Sequence, residues 1–238
     1  MRKDSTAYIF FFALAVCVVC SFTLALVSQS LKPRQEMNQI LDVKKNILKA
    51  VRLQRPLPPK ASAEEVFKIY KDKIDEKVID DQGRVVAGMT PEAIKEQKGL
   101  YPLYIYKEGE KVLAYCFPIE GKGLWSTIYG YLALEPDAKT VRGVTFYKHG
   151  ETPGLGGEIE KDWFQKNFHG KKIWDDRAGR LRPVAVIKGK VADKVSAQEA
   201  PFYVDGISGA TMTSKGVTAL VGRWVKVYEP FFKTIRKN

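Results

Sequence analysis

Residues 103–147 read LYIYKEGEKVLAYCFPIEGKGLWSTIYGYLALEPDAKTVRGVTFY. Four runs within it, 103–106 (LYIY), 112–117 (VLAYCF), 127–134 (TIYGYLAL) and 141–147 (VRGVTFY), alternate β-branched and aromatic residues with others. Turn residues punctuate them at Glu108-Gly109, Glu120-Gly121 and Pro136-Asp137. A period of two interrupted by Gly, Pro and Asp is the pattern of successive strands. It predicts a twisted antiparallel sheet. C-terminal to it the sequence predicts a short helix at 161–168, a strand at 183–188 and a helix at 213–228, where Val217, Leu220, Val221, Trp224 and Val225 recur with helical spacing. The fold class expected is α+β.

N-terminal to the sheet the texture is helical. Met37, Ile40, Leu41, Ile47, Leu48 and Val51 recur every three or four residues, so 36–53 reads as an amphipathic helix ended by the prolines of 56–59. Ser62 with Glu65 forms a capping box for a second helix, and Thr90-Pro91-Glu92 opens a third. Further upstream, residues 7–27 (AYIFFFALAVCVVCSFTLALV) lie in a stretch with no charge between Asp4 and Lys32. At a rise of about 1.5 Å per residue the run reaches roughly 30 Å, the thickness of the bilayer's hydrocarbon. A cleaved signal peptide would have a shorter apolar core and a small-x-small cleavage site, so the run is expected to stay as a single transmembrane helix. The resulting division is an anchor at 1–31, a helical segment at 32–100 and a sheet-containing domain at 101–238.

The chain has 238 residues, 39 Lys and Arg against 27 Asp and Glu, and a formal charge of +12. With 45% hydrophobic and 28% charged residues it is neither disordered nor collagen-like. Cys17 and Cys20 stand inside the apolar run as small fillers, which leaves Cys116 alone and excludes a disulfide framework. Two histidines, His149 and His169, cannot build a His-rich or Cys/His metal site. The basic excess comes with no nucleic-acid reader motif; Lys32, Arg34, Lys44, Lys45, Lys49, Arg52 and Arg55, close after the anchor, suit anionic headgroups or acidic partner subunits. Counted against Arg2 and Lys3, those same charges favour an inward-facing domain, although a long domain translocates largely regardless of charge.

Phosphate-loop, dinucleotide, zinc-protease and nucleophile-elbow motifs are all missing. Two segments stand out. The first, Asp205-Gly-Ile-Ser208-Gly209-Ala210-Thr211-Met-Thr213-Ser214, sits between a strand and a helix. Helix-start N–H groups and hydroxyls there suit a phosphate, and Thr213 or Ser214 acting as a plain N-cap fits the composition equally well. The second, His149-Gly-Glu151-Thr152-Pro-Gly154-Leu155-Gly156-Gly-Glu158, holds four glycines. It is either a flexible loop or one whose backbone approaches a flat ligand closely.

Asp205-x-x-Ser208-Gly209-Ala210-Thr211 resembles the flavinylation motif of the FMN-binding domain family, in which a flavin transferase joins FMN through its phosphate to the threonine. With Gly123-Leu-Trp125-Ser126, residues 150–160 and the single N-terminal span, the whole chain is similar to the C-subunit family of sodium-translocating NADH:quinone oxidoreductases. The G subunits of Rnf-type ferredoxin:NAD complexes share the anchor and the Ser-Gly-Ala-Thr core, and an anchored FMN-binding sensor would share the motif.

The resemblance implies covalent FMN on Thr211 and electron transfer coupled to quinone reduction and sodium export; no catalytic residue is expected on this chain, and its few histidines and cysteines leave no metal expected either. Its partners would be the other membrane and redox subunits, the transferase and the bilayer. The domain would stand on the periplasmic side of the bacterial inner membrane, against the charge count. Asp205 would help the transferase recognise the segment, and Ser208 and Thr213 would donate to the phosphate. Trp125 and Leu155 would contact the flavin, with Trp125 equally suited to packing, and Glu151, Thr152 and the N–H groups of Gly154 and Gly156 would be its polar contacts.

Overall fold

A computed structural model describes residues 6–52, 58, 61–94 and 97–237. The chain divides into two compact units, residues 1–43 and 44–238. The described residues of the first are helix, part of α1 (Thr6–Val51), and residues 6–40 are all exposed, Phe10, Phe11, Phe22 and Leu24 among them. α1 is the one helix among the described residues long and apolar enough to cross a membrane. It runs without a break through Pro33, so the amphipathic stretch expected at 36–53 is the continuation of the apolar one. Of the prolines expected to end it, only Pro58 lies within the described residues.

The second unit is built on a five-stranded antiparallel meander, β1 (Ile74–Asp80), β2 (Leu100–Glu108), β3 (Lys111–Lys122), β4 (Thr127–Leu134) and β5 (Val141–Lys148), in spatial order 1-2-3-4-5. The four predicted strands are present, and β1 is an addition from a segment read as helical. α2 (Ala63–Lys73) begins as expected, with the Ser62 hydroxyl accepting the Glu65 N–H, and then the chain turns directly into β1. The consecutive charges Asp75, Glu76 and Lys77 hide the strand in the sequence. Pairing with β2 places Asp75 against Lys107 at 2.6 Å and buries Ile74, Val78 and Ile79. The helix expected at Thr90 is one 3₁₀ turn, Pro91–Ile94, and residues 95 and 96 lie outside the described ones.

The turn expected at Glu120-Gly121 is also displaced. β3 runs on to Lys122, and the reversal is made by Gly123–Ser126. Gly121 is there for close approach: a Cβ on it would sit 2.5 Å from that of Leu220.

Beyond the sheet lie α3 (Asp162–Lys166), the short strands β6 (Trp174–Asp175), β7 (Arg180–Leu181) and β8 (Ala185–Val186), α4 (Val191–Lys194), β9 (Tyr203–Val204) and α5 (Thr211–Lys237). β8 and β9 pair in parallel. α5 covers one face of the sheet with Val217, Leu220, Val221, Val225, Tyr228, Phe231 and Phe232, all in one core with Leu103, Phe117, Ile119, Leu132 and Phe146. Trp224 and Tyr228 donate to the carbonyls of Glu120 and Pro102, each at 2.6 Å. The helix, expected over 213–228, passes through Pro230 and continues to Lys237. Burial of Phe231 and Phe232 outweighs the hydrogen bond a mid-helix proline forfeits.

The opposite sheet face carries Tyr104, Tyr106, Cys116 and Tyr131, with Val66 and Tyr70 of α2 and Ile47, Leu48 and Val51 buried in the same unit. Burial holds the hydroxyls of Tyr104, Tyr131 and Tyr228 un-ionised well past the usual tyrosine range; Tyr70 is raised by burial and by its hydrogen bond to Glu76. The unfolded chain ionises these groups near pH 10 and the folded chain does not, so stability falls as pH rises above about 10. In a spectrophotometric titration they are expected to ionise together with loss of near-ultraviolet dichroism. Ionisation of all eleven tyrosines in a still-folded chain would contradict their placement.

Candidate functional site

Three segments far apart in sequence meet at one end of the sheet: the β3–β4 turn (123–126), the glycine-rich loop after β5 (149–157) and the start of α5. The first intrahelical bond of α5 runs from the Ser214 N–H to the Ala210 carbonyl at 2.9 Å, so Ala210 occupies the N-cap position. Alanine has no side-chain oxygen with which to cap the first-turn N–H groups. The plain-cap alternative for Thr213 or Ser214 is thereby removed, because both lie inside the first turn rather than before it.

The hydroxyls sort by exposure. Ser208 and Thr211 are exposed, while Thr213 is 1% and Ser214 5% exposed. Thr213, expected to donate to a phosphate, instead donates its hydroxyl hydrogen bond to the Glu151 carboxylate. Glu151, expected to face a ligand, is itself buried. Its carboxylate accepts the N–H groups of Trp125 at 2.9 Å, Leu124 at 3.2 Å and Ser126 at 3.4 Å. Burial alone would raise its pKa; the bonds from Thr213 and the three N–H groups outweigh that and hold it below the usual carboxylate range.

The contacts around Glu151 are tight enough to require glycine. A Cβ on Gly123 would lie 2.5 Å from Glu151 Oε1, and one on Gly156 would run into Thr213 Oγ1. The sequence signalled this loop by its glycines, and the structure shows that at Gly156 the close approach is to the protein's own Glu–Thr pair.

Exposed apolar side chains lie on all three segments that meet here. Trp125 is 71% exposed although its backbone is pinned by Glu151, and Leu124, Leu155 and Met212 are exposed as well. Of the two readings for Trp125, packing in the core is ruled out. Leu155 lies over Gly209, where a Cβ would be 2.7 Å from its Cδ2. Leu124 and Met212 were not singled out in the sequence; their signal is adjacency to Trp125 and Thr211. Thr152 is exposed, and its carbonyl accepts the N–H groups of Leu155 and Gly157, closing the turn in which Gly154 takes a positive φ.

Asp205 lies apart from this cluster in its contacts. Its Oδ1 accepts the Val191 N–H at 2.8 Å at the start of α4, and the neighbouring Gly206 N–H donates to the Gly189 carbonyl at 2.8 Å. It therefore ties the 187–195 loop to the strand that leads into the Thr211 segment.

An exposed hydroxyl on an uncapped helix start, with exposed apolar side chains beside it, is a fitting seat for a phosphate ester that carries a flat aromatic ring. The FMN-binding domain family matches residues 123–226, which takes in the β3–β4 turn, the glycine-rich loop and the α5 start. Across its whole length the chain is 35% identical to the C subunit of the Na(+)-translocating NADH-quinone reductase of Pseudomonas aeruginosa and 31% identical to that of Yersinia pestis, covering 98% and 96% of those chains. The crystal structure of the same subunit from Parabacteroides distasonis superposes with a TM-score of 0.71 at 32% identity, over 85% of this chain and 96% of that one. That of Shewanella oneidensis NqrC gives 0.67 at 27%, over 83% and 97%. Similarity that runs the length of the chain, and not of the flavin-binding part alone, places this protein in the family of C subunits of Na(+)-translocating NADH-quinone reductases.

Proposed function

We propose that this chain is the electron-relay subunit of a sodium-translocating NADH:quinone reductase and holds FMN as a phosphoester on Thr211. The observation that carries the reading is the position of Thr211: an exposed hydroxyl at the first residue of an uncapped 27-residue helix, whose first turn Glu151 joins to the segment bearing exposed Trp125. Attachment joins Thr211 Oγ to the phosphorus of the FMN half of FAD, breaks the pyrophosphate bond and releases AMP and the hydroxyl proton; no electrons move. An unassisted threonine hydroxyl is a weak nucleophile, which is why a transferase is required.

The first-turn N–H groups and the positive end of the α5 dipole would neutralise the ester phosphate. Trp125 and Leu155, with Leu124 and Met212, would shield one side of the ring, and Ser208, also exposed, would reach the phosphate. Bound there, the isoalloxazine supplies one- and two-electron chemistry, tuned by the groups around it. A tether that cannot dissociate keeps that chemistry within the complex. α1 would hold the domain at the inner membrane, on the periplasmic side where the transferase works, with sodium export belonging to the assembled complex.

The test is the intact mass of the full chain made together with a flavin transferase, followed by mapping of the peptide 205–215. A gain equal to FMN less one water, located on Thr211, is expected; an unmodified peptide from cells that flavinylate other proteins would refute the proposal.

The role of Asp205 divides by substitution. Asp205→Ala removes the acceptor for Val191 and is expected to destabilise the loop by about 1 kcal/mol. Asp205→Asn keeps an oxygen for that bond. If the transferase reads the carboxylate, the Asn chain folds with wild-type thermal stability and is still poorly loaded; wild-type loading would leave Asp205 with the loop-tying role alone.

A further inference from the structure

Glu151 is a buried carboxylate, 5% exposed, whose four partners are neutral donors drawn from two other segments. Such a group must be retained for something its bonds do, because moving an ion out of water is costly unless every bond is made. Those bonds gather the backbone of 124–126, which carries Trp125, and the side chain of Thr213, two residues past Thr211. An acceptor-only group is needed where four donors converge. Glutamine would present an amide N–H₂ to at least one of them.

The segment 208–214 contains two threonines within three residues, and chemistry alone does not favour the first. A carboxylate hydrogen-bonded to a hydroxyl is the arrangement that activates a nucleophile, and it is Thr213 that has one. What disqualifies Thr213 is access: it is 1% exposed and its hydroxyl is turned to Glu151.

We propose that Glu151 is the positioning residue that decides which threonine takes the flavin, holding Thr213 inward and fixing the first turn of α5 so that Thr211 alone is presented. The inference rests on the reading that the chain accepts FMN on this segment. It assigns Glu151 a role inside the protein rather than against the ring, and makes the Glu151–Thr213 pair a selectivity device.

The test uses the full chain in two states. Without transferase, Glu151→Gln and Thr213→Val are each expected to speed hydrogen exchange at the amides of 124–126 by about tenfold, the loss of one charge-assisted hydrogen bond, with the double variant within about twofold of the single ones. Thr213→Ser, which keeps the hydroxyl, is expected to restore wild-type exchange. With transferase, peptide mapping of the unaltered chain shows FMN on Thr211 alone. The Glu151→Gln chain shows a share on Thr213 or a loss of more than about twofold in Thr211 loading.

Loading of Glu151→Gln on Thr211 alone, within about twofold of the unaltered chain, overturns the proposal and leaves the FMN reading standing. If Glu151→Gln fails to fold, Thr213→Val carries the test through loading at Thr211: a loss rescued by Thr213→Ser supports the proposal, and undiminished loading overturns it. An unaltered chain that takes no flavin overturns the FMN reading first.

Discussion

A Thr211→Ala chain, produced with the flavin transferase, is expected to emerge folded and without covalent flavin. The loss is complete because the bond needs an oxygen at that position, and the next threonine is 1% exposed with its hydroxyl committed to Glu151. The fold is spared because Thr211 is exposed and makes none of the core contacts of α5. Exposed substitutions away from caps and networks change stability by about 0.5 kcal/mol or less. In-gel fluorescence and intact mass read the first effect, and thermal unfolding the second. Thr211→Ser restores the hydroxyl without the methyl and is expected to recover loading. An Ala chain that still carries flavin would move the attachment elsewhere, with Ser208, the other exposed hydroxyl of the segment, as the first place to look.

The second large effect concerns stability. Phe117, at the centre of β3, is fully buried; its ring stacks on Tyr228 with centroids 4.2 Å apart and meets Phe232 at 5.6 Å. Phe117→Ala removes the side chain that joins the sheet to α5, and a rigid sheet cannot collapse to fill the space. The expected loss is about 3–5 kcal/mol, a large part of a domain's total stability of roughly 5–15 kcal/mol. Because α5 begins at Thr211, loosening it also loosens the attachment site. Chemical denaturation should show a lower midpoint with an unchanged slope; a midpoint shift worth less than about 1 kcal/mol would mean that the β3–α5 interface is not the main core.

Four strands, the apolar span and the α5 core face were legible in the sequence because each writes a period of its own: alternation at two residues, recurrence at three and four, and uninterrupted apolarity over 21 residues. β1 was not legible, since Asp75, Glu76 and Lys77 interrupt any alternation and only pairing with β2 makes a strand of it. The continuation of α5 past Pro230 was hidden for a similar reason. The proline's local disfavour for helix is overridden by Phe231 and Phe232, whose burial depends on what lies opposite them.

At the site, the sequence determined the chemistry available: a hydroxyl-rich helix start, a glycine-rich loop and an aromatic in the Gly123–Ser126 turn, with Thr211 picked out by resemblance. Which hydroxyl is exposed was decided by the tertiary structure alone. Thr211 and Thr213 are the same residue type two positions apart, and a helix turns them about 200° from one another. The face that meets Glu151 is buried and the other is open, and Glu151 arrives from a loop 62 residues away in sequence. No local pattern encodes that meeting, because it follows from how β3, β4 and β5 register beneath α5.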